Sequence, residues 1–392
     1  MIELKKKSRK ILIIGIFLLI FSIGFLSYRM ITMDLSVNFD FNTVKPESVS
    51  LANVGSSVND VRWAAAVDGN IVAGRSDEIV QSTASTTKMI LALAVLEKKP
   101  LAVHEKGEMI KITREMYDKY VFYLNNNGSN TAVYEGEEIS EYDALVSLML
   151  ASSNNMADAL AVWAFGSMEN YREYGMEMLG RLGLKNTTLG TRDASGYDAG
   201  TTSTAADLAK IGYLVMKNEI LSEIVALGLA EVPVAGLIKN TNMLLGKSLI
   251  SGVKTGFIGE ESGYCIVSGY KKDDNIVTVA VLDANTRQES FDENLKIVDD
   301  IQRQLVPKRI VSRGDLVGVY RSWWNEYEVR VSEDFDGVYY DGQEFTSEFV
   351  DGALEIRIGD KKYSVGVEIG EHEAEPSFWQ RFLHVFGWEN GV

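Results

Sequence analysis

Cysteine occurs once in the 392 residues, at Cys265, so no intrachain disulfide can form. Histidine occurs three times, at the widely separated His104, His372 and His384, which excludes a Cys/His zinc site and leaves a Ser-His-Asp triad short of candidates for its base. Only five prolines accompany 34 glycines, and an apolar fraction of 46% with 24% charged residues is that of a globular chain, which rules out collagen-like and disordered classes. Positive charge is in deficit, 39 Lys+Arg against 55 Asp+Glu, so the net charge of −16 argues against a nucleic-acid footprint, which needs a basic face. The chemistry that remains belongs to Ser, Lys, Asp, Glu and the aromatics.

Charge is also absent from one long stretch. Residues 1–10 form a basic tail (Lys5, Lys6, Lys7, Arg9 and Lys10 against Glu3), and Ile11 to Tyr28 follow without a charge, the pattern of a transmembrane anchor. The residues after this run, Ser27-Tyr28-Arg29-Met30, lack the small-residue site of a cleaved signal peptide. Positive charge stays on the cytoplasmic side, so everything beyond Arg29 is expected outside the cytoplasm. Residues 29–58 read as a polar tether.

From 59 to 305 the texture mixes strands and helices. Val61–Val72 and Asn275–Asp283 read as strands, and Thr86–Lys98, Asp143–Ala151, Met156–Phe165 and Ala205–Met216 have helical spacing. Strands at both ends with helices between predict an α+β domain: one antiparallel sheet built from both ends, with a helical insert. Residues 306–370 read as a small all-β domain, with alternating runs at 327–331, 337–340, 354–358 and 363–369. Its turn signals are Asp336-Gly337, Asp341-Gly342 and Asp351-Gly352. In the tail, 371–392, Phe378, Trp379, Phe382, Leu383, Phe386 and Trp388 fall on one helical side, either docked on the β domain or lying in a membrane interface.

Three Ser-x-x-Lys tetrads occur, at Ser85–Lys88, Ser251–Lys254 and Ser268–Lys271. The first opens the strongly helical run Met89–Leu96, where a spacing of three puts Ser85 and Lys88 on one face. In a strand, Ser268 and Lys271 would point to opposite faces. Ser85 then suits a nucleophile, Lys88 its base, and a helix N-terminus an oxyanion, while a plain Ser cap with a solvated lysine remains the structural alternative. Ser152-Ser153-Asn154-Asn155 forms a polar corner between two helical runs, where caps are again the alternative. Lys254-Thr255-Gly256 occurs once and heads a strand-like segment, with the glycine leaving room for a ligand backbone.

Taken in order, these elements resemble the serine acyl-enzyme set of the low-molecular-mass penicillin-binding proteins, specifically the serine-type D-alanyl-D-alanine carboxypeptidases. The similarity also takes in Gly183–Thr188, Ser203-Thr204-Ala205, Asn240-Thr241-Asn242 and Gly263-Tyr264-Cys265, and spans about residues 60–305. It implies a β-lactamase/transpeptidase-like fold, with no cofactor and no metal. Peptidoglycan stem peptides ending in D-Ala-D-Ala would be the substrate and β-lactams covalent inhibitors, on the outer face of a bacterial cytoplasmic membrane. It further implies Ser85 as nucleophile, Lys88 as base and Ser152 as proton relay. Asn154 would hold Lys88 or the substrate amide, Lys254 and Thr255 the terminal carboxylate, and the N–H groups of Ser85 and Phe257, past Gly256, the oxyanion.

The chain departs from the family pattern in places. Asn155 stands where an acidic residue is common, Ser153-x-Asn155 competes with Ser152-x-Asn154 as the second motif, and Phe257-Ile258 offers no hydroxyl after Lys-Thr-Gly. Arg287 is similar to a family arginine near the site, a surface arginine being the other reading. Among rival functions, a class A β-lactamase would need Glu-x-x-x-Asn between Ser152 and Lys254, and no such spacing exists. A D,D-endopeptidase and a catalytically silent wall-binding protein are the others.

Overall fold

The computed structural model describes residues 2–371 and 375–387; His372 and Trp388, named above, lie outside them. The described chain forms two compact units. One is Ser50–Val306, and the other joins the N-terminal segment up to Val49 with the chain from Pro307 onward.

In Ser50–Val306, five antiparallel strands make one sheet in the spatial order Gly252–Gly256, Tyr264–Lys272, Asn275–Ala284, Arg62–Val67, Asn70–Arg75. Asn275–Ala284 and Arg62–Val67 are inner strands buried on both faces, which is why they read as apolar runs instead of alternating. Helices flank both sides. Val267 meets the helix Ala205–Lys217 at Gly212, and its neighbour Ser268 donates to Asn294 on the helix Arg287–Gln304 at 2.6 Å. Adjacent strand residues therefore serve opposite layers.

The ten helices of the described residues are α1 (Ile2–Ile31), α2 (Lys88–Lys98), α3 (Arg114–Asn125), α4 (Glu141–Met149), α5 (Asn154–Phe165), α6 (Met168–Arg181), α7 (Ala205–Lys217), α8 (Glu219–Ala226), α9 (Arg287–Gln304) and α10 (Phe378–Val385). Helices α2 to α8 constitute the insert. α2 is buried at every position from Lys88 to Leu96 except Leu93, so it is a core helix surrounded by the others. The sequence places Ser85 in the first turn of this helix; in the structure a separate 3-10 turn, Ala84–Thr87, precedes it. That turn is fastened by Thr86, whose hydroxyl donates to the Thr83 carbonyl at 2.6 Å.

The second unit is all-β apart from α1 and α10. Leu316–Arg321, Glu326–Val331 and Val367–Ile369 form one sheet, Phe345–Val350, Ala353–Ile358 and Lys361–Val365 another, around Val317, Val329, Leu354 and Ile356. Two expectations are corrected here. The polar tether of 29–58 contains a strand, Asn38–Phe41, that completes the first sheet beside Leu316–Arg321, with Phe39 packed on Tyr320 and Phe349 at ring distances of 4.6 and 4.5 Å. Four residues are too few for period-two alternation to stand out. Asp336-Gly337 is not a turn: it lies in the strand Phe335–Gly337, paired with Lys308–Val311, and Arg309 donates to the Asp336 carboxylate at 2.6 Å. This strand also stops at Gly337, short of the run expected to reach Tyr340.

The 26-residue stretch Lys6–Ile31 of α1 contains an 18-residue window with a mean hydropathy of 2.6, long and apolar enough to cross a membrane. In α10, His384 stacks on Trp323 of the β unit at 4.0 Å, while Phe378 and Trp379 stay 63% and 68% exposed. One side of the helix is docked and its aromatic end is open.

Candidate active site

The 3-10 turn brings Ser85 and Lys88 together because residues three apart eclipse in such a turn. Lys88 is fully buried, and its Nζ lies 2.7 Å from Ser85 Oγ, 2.8 Å from Asn154 Oδ1 and 2.8 Å from the Ser195 carbonyl. A neutral amine has two protons and one lone pair. Asn154 Oδ1 and the Ser195 carbonyl can only accept, so they take the two protons and leave the lone pair aimed at the Ser85 hydroxyl. Burial, and after it the positive charge of Lys254, hold the Lys88 ammonium well below the usual lysine range; Asp193 and Asp158 pull the other way.

The Ser195 carbonyl is set by two buried carboxylates. Asp193 accepts from the Ser195 N–H and hydroxyl at 2.7 and 2.6 Å and from the N–H groups of Tyr197 and Asp198. Asp158, one turn beyond Asn154 on α5, accepts from the Ala194 N–H at 3.1 Å and the Tyr123 hydroxyl at 2.8 Å, and pairs with Lys119 at 3.3 Å. Gly196 is required at this turn: with φ at +73°, a Cβ there would come within 2.1 Å of the Ala84 carbonyl.

The corner between α4 and α5 separates the two competing serines. Ser153 is the N-cap of α5, accepting from the Met156 N–H and donating to Asn155 Oδ1 at 2.8 Å, so its hydroxyl is consumed by the fold. Ser152 has φ at +59°, a left-handed conformation costly for serine, and it lines the cavity in front of Ser85. Asn155 accepts from the Thr131 N–H and donates to the Thr131 carbonyl, both at 2.9 Å. An acidic residue could make only the first of these bonds.

That cavity holds about 270 Å³ and is walled on the sheet side by Thr255, Gly256 and Phe257. A Cβ on Gly256 would lie 3.0 Å from the Ser85 nitrogen, so glycine allows the strand to approach the Ser85 backbone. Thr255 Oγ1 shares a hydrogen bond of 2.8 Å with Thr241 Oγ1, and Phe257 stacks on Tyr264 at 4.0 Å. Lys254 is fully buried and not among the lining residues; its Nζ donates to the Thr255 carbonyl at 3.1 Å, and burial brings its pKa down to about 7. Positive charge at the cavity wall itself comes from Arg287, the first residue of α9. Cys265 also lines the wall, but burial pushes its thiol up to about 12, so it is no rival nucleophile.

Sequence reasoning missed Thr241, Asn127, Ser129, Tyr264 and Ser195 as parts of the site. Thr241 and Tyr264 had signals in the Asn240-Thr241-Asn242 and Gly263-Tyr264-Cys265 triplets. Asn127 and Ser129 sat in a polar run, 125–130, that reads as any loop. Of the other two Ser-x-x-Lys tetrads, Ser268 is buried and Lys271 exposed, on opposite faces of one strand, and Ser251 precedes the strand carrying Lys254.

The profile of the D-alanyl-D-alanine carboxypeptidases matches residues 64–286. The D-alanyl-D-alanine carboxypeptidase DacF of Bacillus subtilis is 26% identical over 239 residues, 59% of this chain and 58% of that protein, so this chain spans less than two thirds of its length. A D-alanyl-D-alanine endopeptidase of Pseudomonas aeruginosa is 27% identical over 232 residues, covering 55% of this chain and 68% of its own. Among solved structures, a point mutant of a Streptomyces DD-transpeptidase superposes with a TM-score of 0.54 at 25% identity, covering 65% of this chain and 98% of that one. A peptidoglycan synthesis regulatory factor from Streptococcus pneumoniae reaches 0.64 over 78% of this chain and 98% of its own, and at 18% identity the likeness is one of fold. With residues 64–286 matched, more than half of its length and a range that contains all three motifs, this chain belongs to the D-alanyl-D-alanine carboxypeptidase family of serine peptidases.

Proposed function

We propose that the protein is a serine D-alanyl-D-alanine carboxypeptidase that removes the terminal D-Ala from peptidoglycan stem peptides. The observation that carries this reading is the geometry at Lys88: two of the three partners of its buried Nζ can only accept, so the lone pair of the neutral amine, the form that burial favours, is left to accept the Ser85 proton. Ser85 Oγ attacks the penultimate D-Ala carbonyl as its proton passes to Lys88. The N–H groups of Ser85 and Phe257 receive the oxyanion. The C–N bond then breaks, the leaving D-Ala takes a proton by way of Ser152, and water hydrolyses the D-alanyl ester. Thr255 and Arg287 meet the terminal carboxylate at the wall, with the charge of Lys254 behind them.

Penicillin should acylate the same serine. No Asp or Glu is among the lining residues of the cavity, so no carboxylate base is placed there to drive a water against the bulky penicilloyl ester, whose opened ring stays tethered. The expected result is a penicilloyl adduct on Ser85 that lasts minutes or longer and is absent in Ser85→Ala, together with catalytic release of D-Ala from a pentapeptide stem. Rapid turnover of penicillin without D-Ala release would make the protein a β-lactamase. Cleavage of cross-linked dimers alone would make it an endopeptidase, and neither adduct nor product a silent wall-binding protein.

The setting follows from α1. Five basic residues precede the apolar run Ile11–Tyr28, which favours a single-pass anchor with the catalytic unit outside the cytoplasmic membrane, where stem peptides are found.

A further inference from the structure

Thr241 is held more firmly than a loop residue needs to be. Asn240 Nδ2 donates to the Val225 and Leu227 carbonyls at the end of α8, at 3.2 and 3.0 Å. Asn242 Nδ2 donates to the Gly252 carbonyl at 2.9 Å, and its N–H to Asn240 Oδ1. Thr241 itself donates its N–H to the Leu150 carbonyl at 3.2 Å, two residues before Ser152. The triplet thus ties together the end of α8, the Lys-Thr-Gly strand and the α4–α5 corner. All of this delivers one hydroxyl to 2.8 Å from Thr255 Oγ1, at the wall of the cavity.

A hydroxyl has one proton to donate. When Thr255 gives its proton to a carboxylate, the bond to Thr241 can persist only with Thr241 as donor. Neither Phe257 nor Ile258 carries a hydroxyl for this purpose. We propose that Thr241 is a positioning residue: its hydroxyl donates to Thr255 Oγ1 and so turns the Thr255 proton toward the free carboxylate of the acyl donor. The proposal rests on the carboxypeptidase reading and deepens it, because it makes the Thr241–Thr255 pair the element that selects a chain end over an internal peptide. The relay runs Thr241 O–H to Thr255 O–H to carboxylate, each bond polarising the next.

The test compares wild type with Thr241→Val, which keeps the shape and loses the hydroxyl, and Thr241→Ser, which restores it. Acylation rates of Ser85 are measured with benzylpenicillin and with its methyl ester, and D-Ala release is followed on a pentapeptide stem. Loss of the neutral Thr241–Thr255 hydrogen bond, which frees the Thr255 proton to turn away from the carboxylate, corresponds to a drop of up to roughly tenfold for Thr241→Val on benzylpenicillin and the peptide. The ester should change by less than about twofold, and Thr241→Ser should recover the wild-type ratio. Equal loss on acid and ester, no loss on either, or failure of serine to rescue overturns the positioning role. Wild-type protein that neither forms an adduct nor releases D-Ala would instead remove the carboxypeptidase reading, and this proposal with it.

Discussion

Lys254 is a cation that the fold holds at a cost. Burial depresses its pKa to about 7 from the usual lysine value, so the folded state binds its proton less tightly than the unfolded chain does. Below about pH 7 the lysine is charged in both states and the penalty is full; it fades as pH rises toward the ordinary lysine range, where the unfolded chain also loses the proton. Lys254→Met should therefore melt at a higher temperature than wild type at pH 6, with the difference shrinking toward pH 10. The same substitution should lower kcat/KM by roughly 10- to 100-fold, because a charge that attracts the carboxylate and depresses Lys88 is gone. Wild-type kcat/KM on a free-acid substrate should fall as pH rises through about 7. A variant that is both less stable and inactive, or an alkaline limb unmoved by the substitution, would contradict the assignment.

At the scale of elements, the segment 127–131 owes its place to α5. Asn155 closes two bonds with Thr131, and the Asn154 N–H donates to the Ser129 carbonyl at 2.8 Å, which sets Asn127 and Ser129 into the cavity wall. Asn155→Ala leaves a buried N–H and C=O unpaired, at a cost of about 1–3 kcal/mol each. A lower melting temperature and a KM that rises more than kcat falls are expected, read from thermal denaturation and D-Ala release. Asn155→Asp should not restore the melting temperature, since its carboxylate would face the Thr131 carbonyl. This pattern also shows what a sequence can disclose. Ser85 with Lys88, and Lys254-Thr255-Gly256, were legible because their relation is local, three residues or fewer apart. The sheet built from both ends was legible because its inner strands are continuously apolar. The Ser195 carbonyl was not, since any residue carries a backbone carbonyl and only the fold of 193–198 delivers this one to Lys88. Asp158 was not legible either, since its link to Ala194 depends on a contact 36 residues away.

For the whole molecule, protease added to intact spheroplasts should digest the catalytic unit if α1 places it outside, and survival of the full-length chain would refute that topology. What such digestion leaves behind is set by the strand Asn38–Phe41. It pairs residue for residue with Gly318–Arg321, Arg321 forms an ion pair with Asp40, and Phe39 packs against Tyr320 and Phe349. A first cut between residues 50 and 58 severs the covalent path from α1 to the unit Ser50–Val306, yet that unit still continues through Val306 into the β unit, which grips the strand that follows α1. The nicked protein should therefore sediment with membranes and keep its penicillin-binding activity in mild buffer, coming free only when urea dissolves the sheet. Attachment to the membrane would then outlast the peptide bond that first provided it.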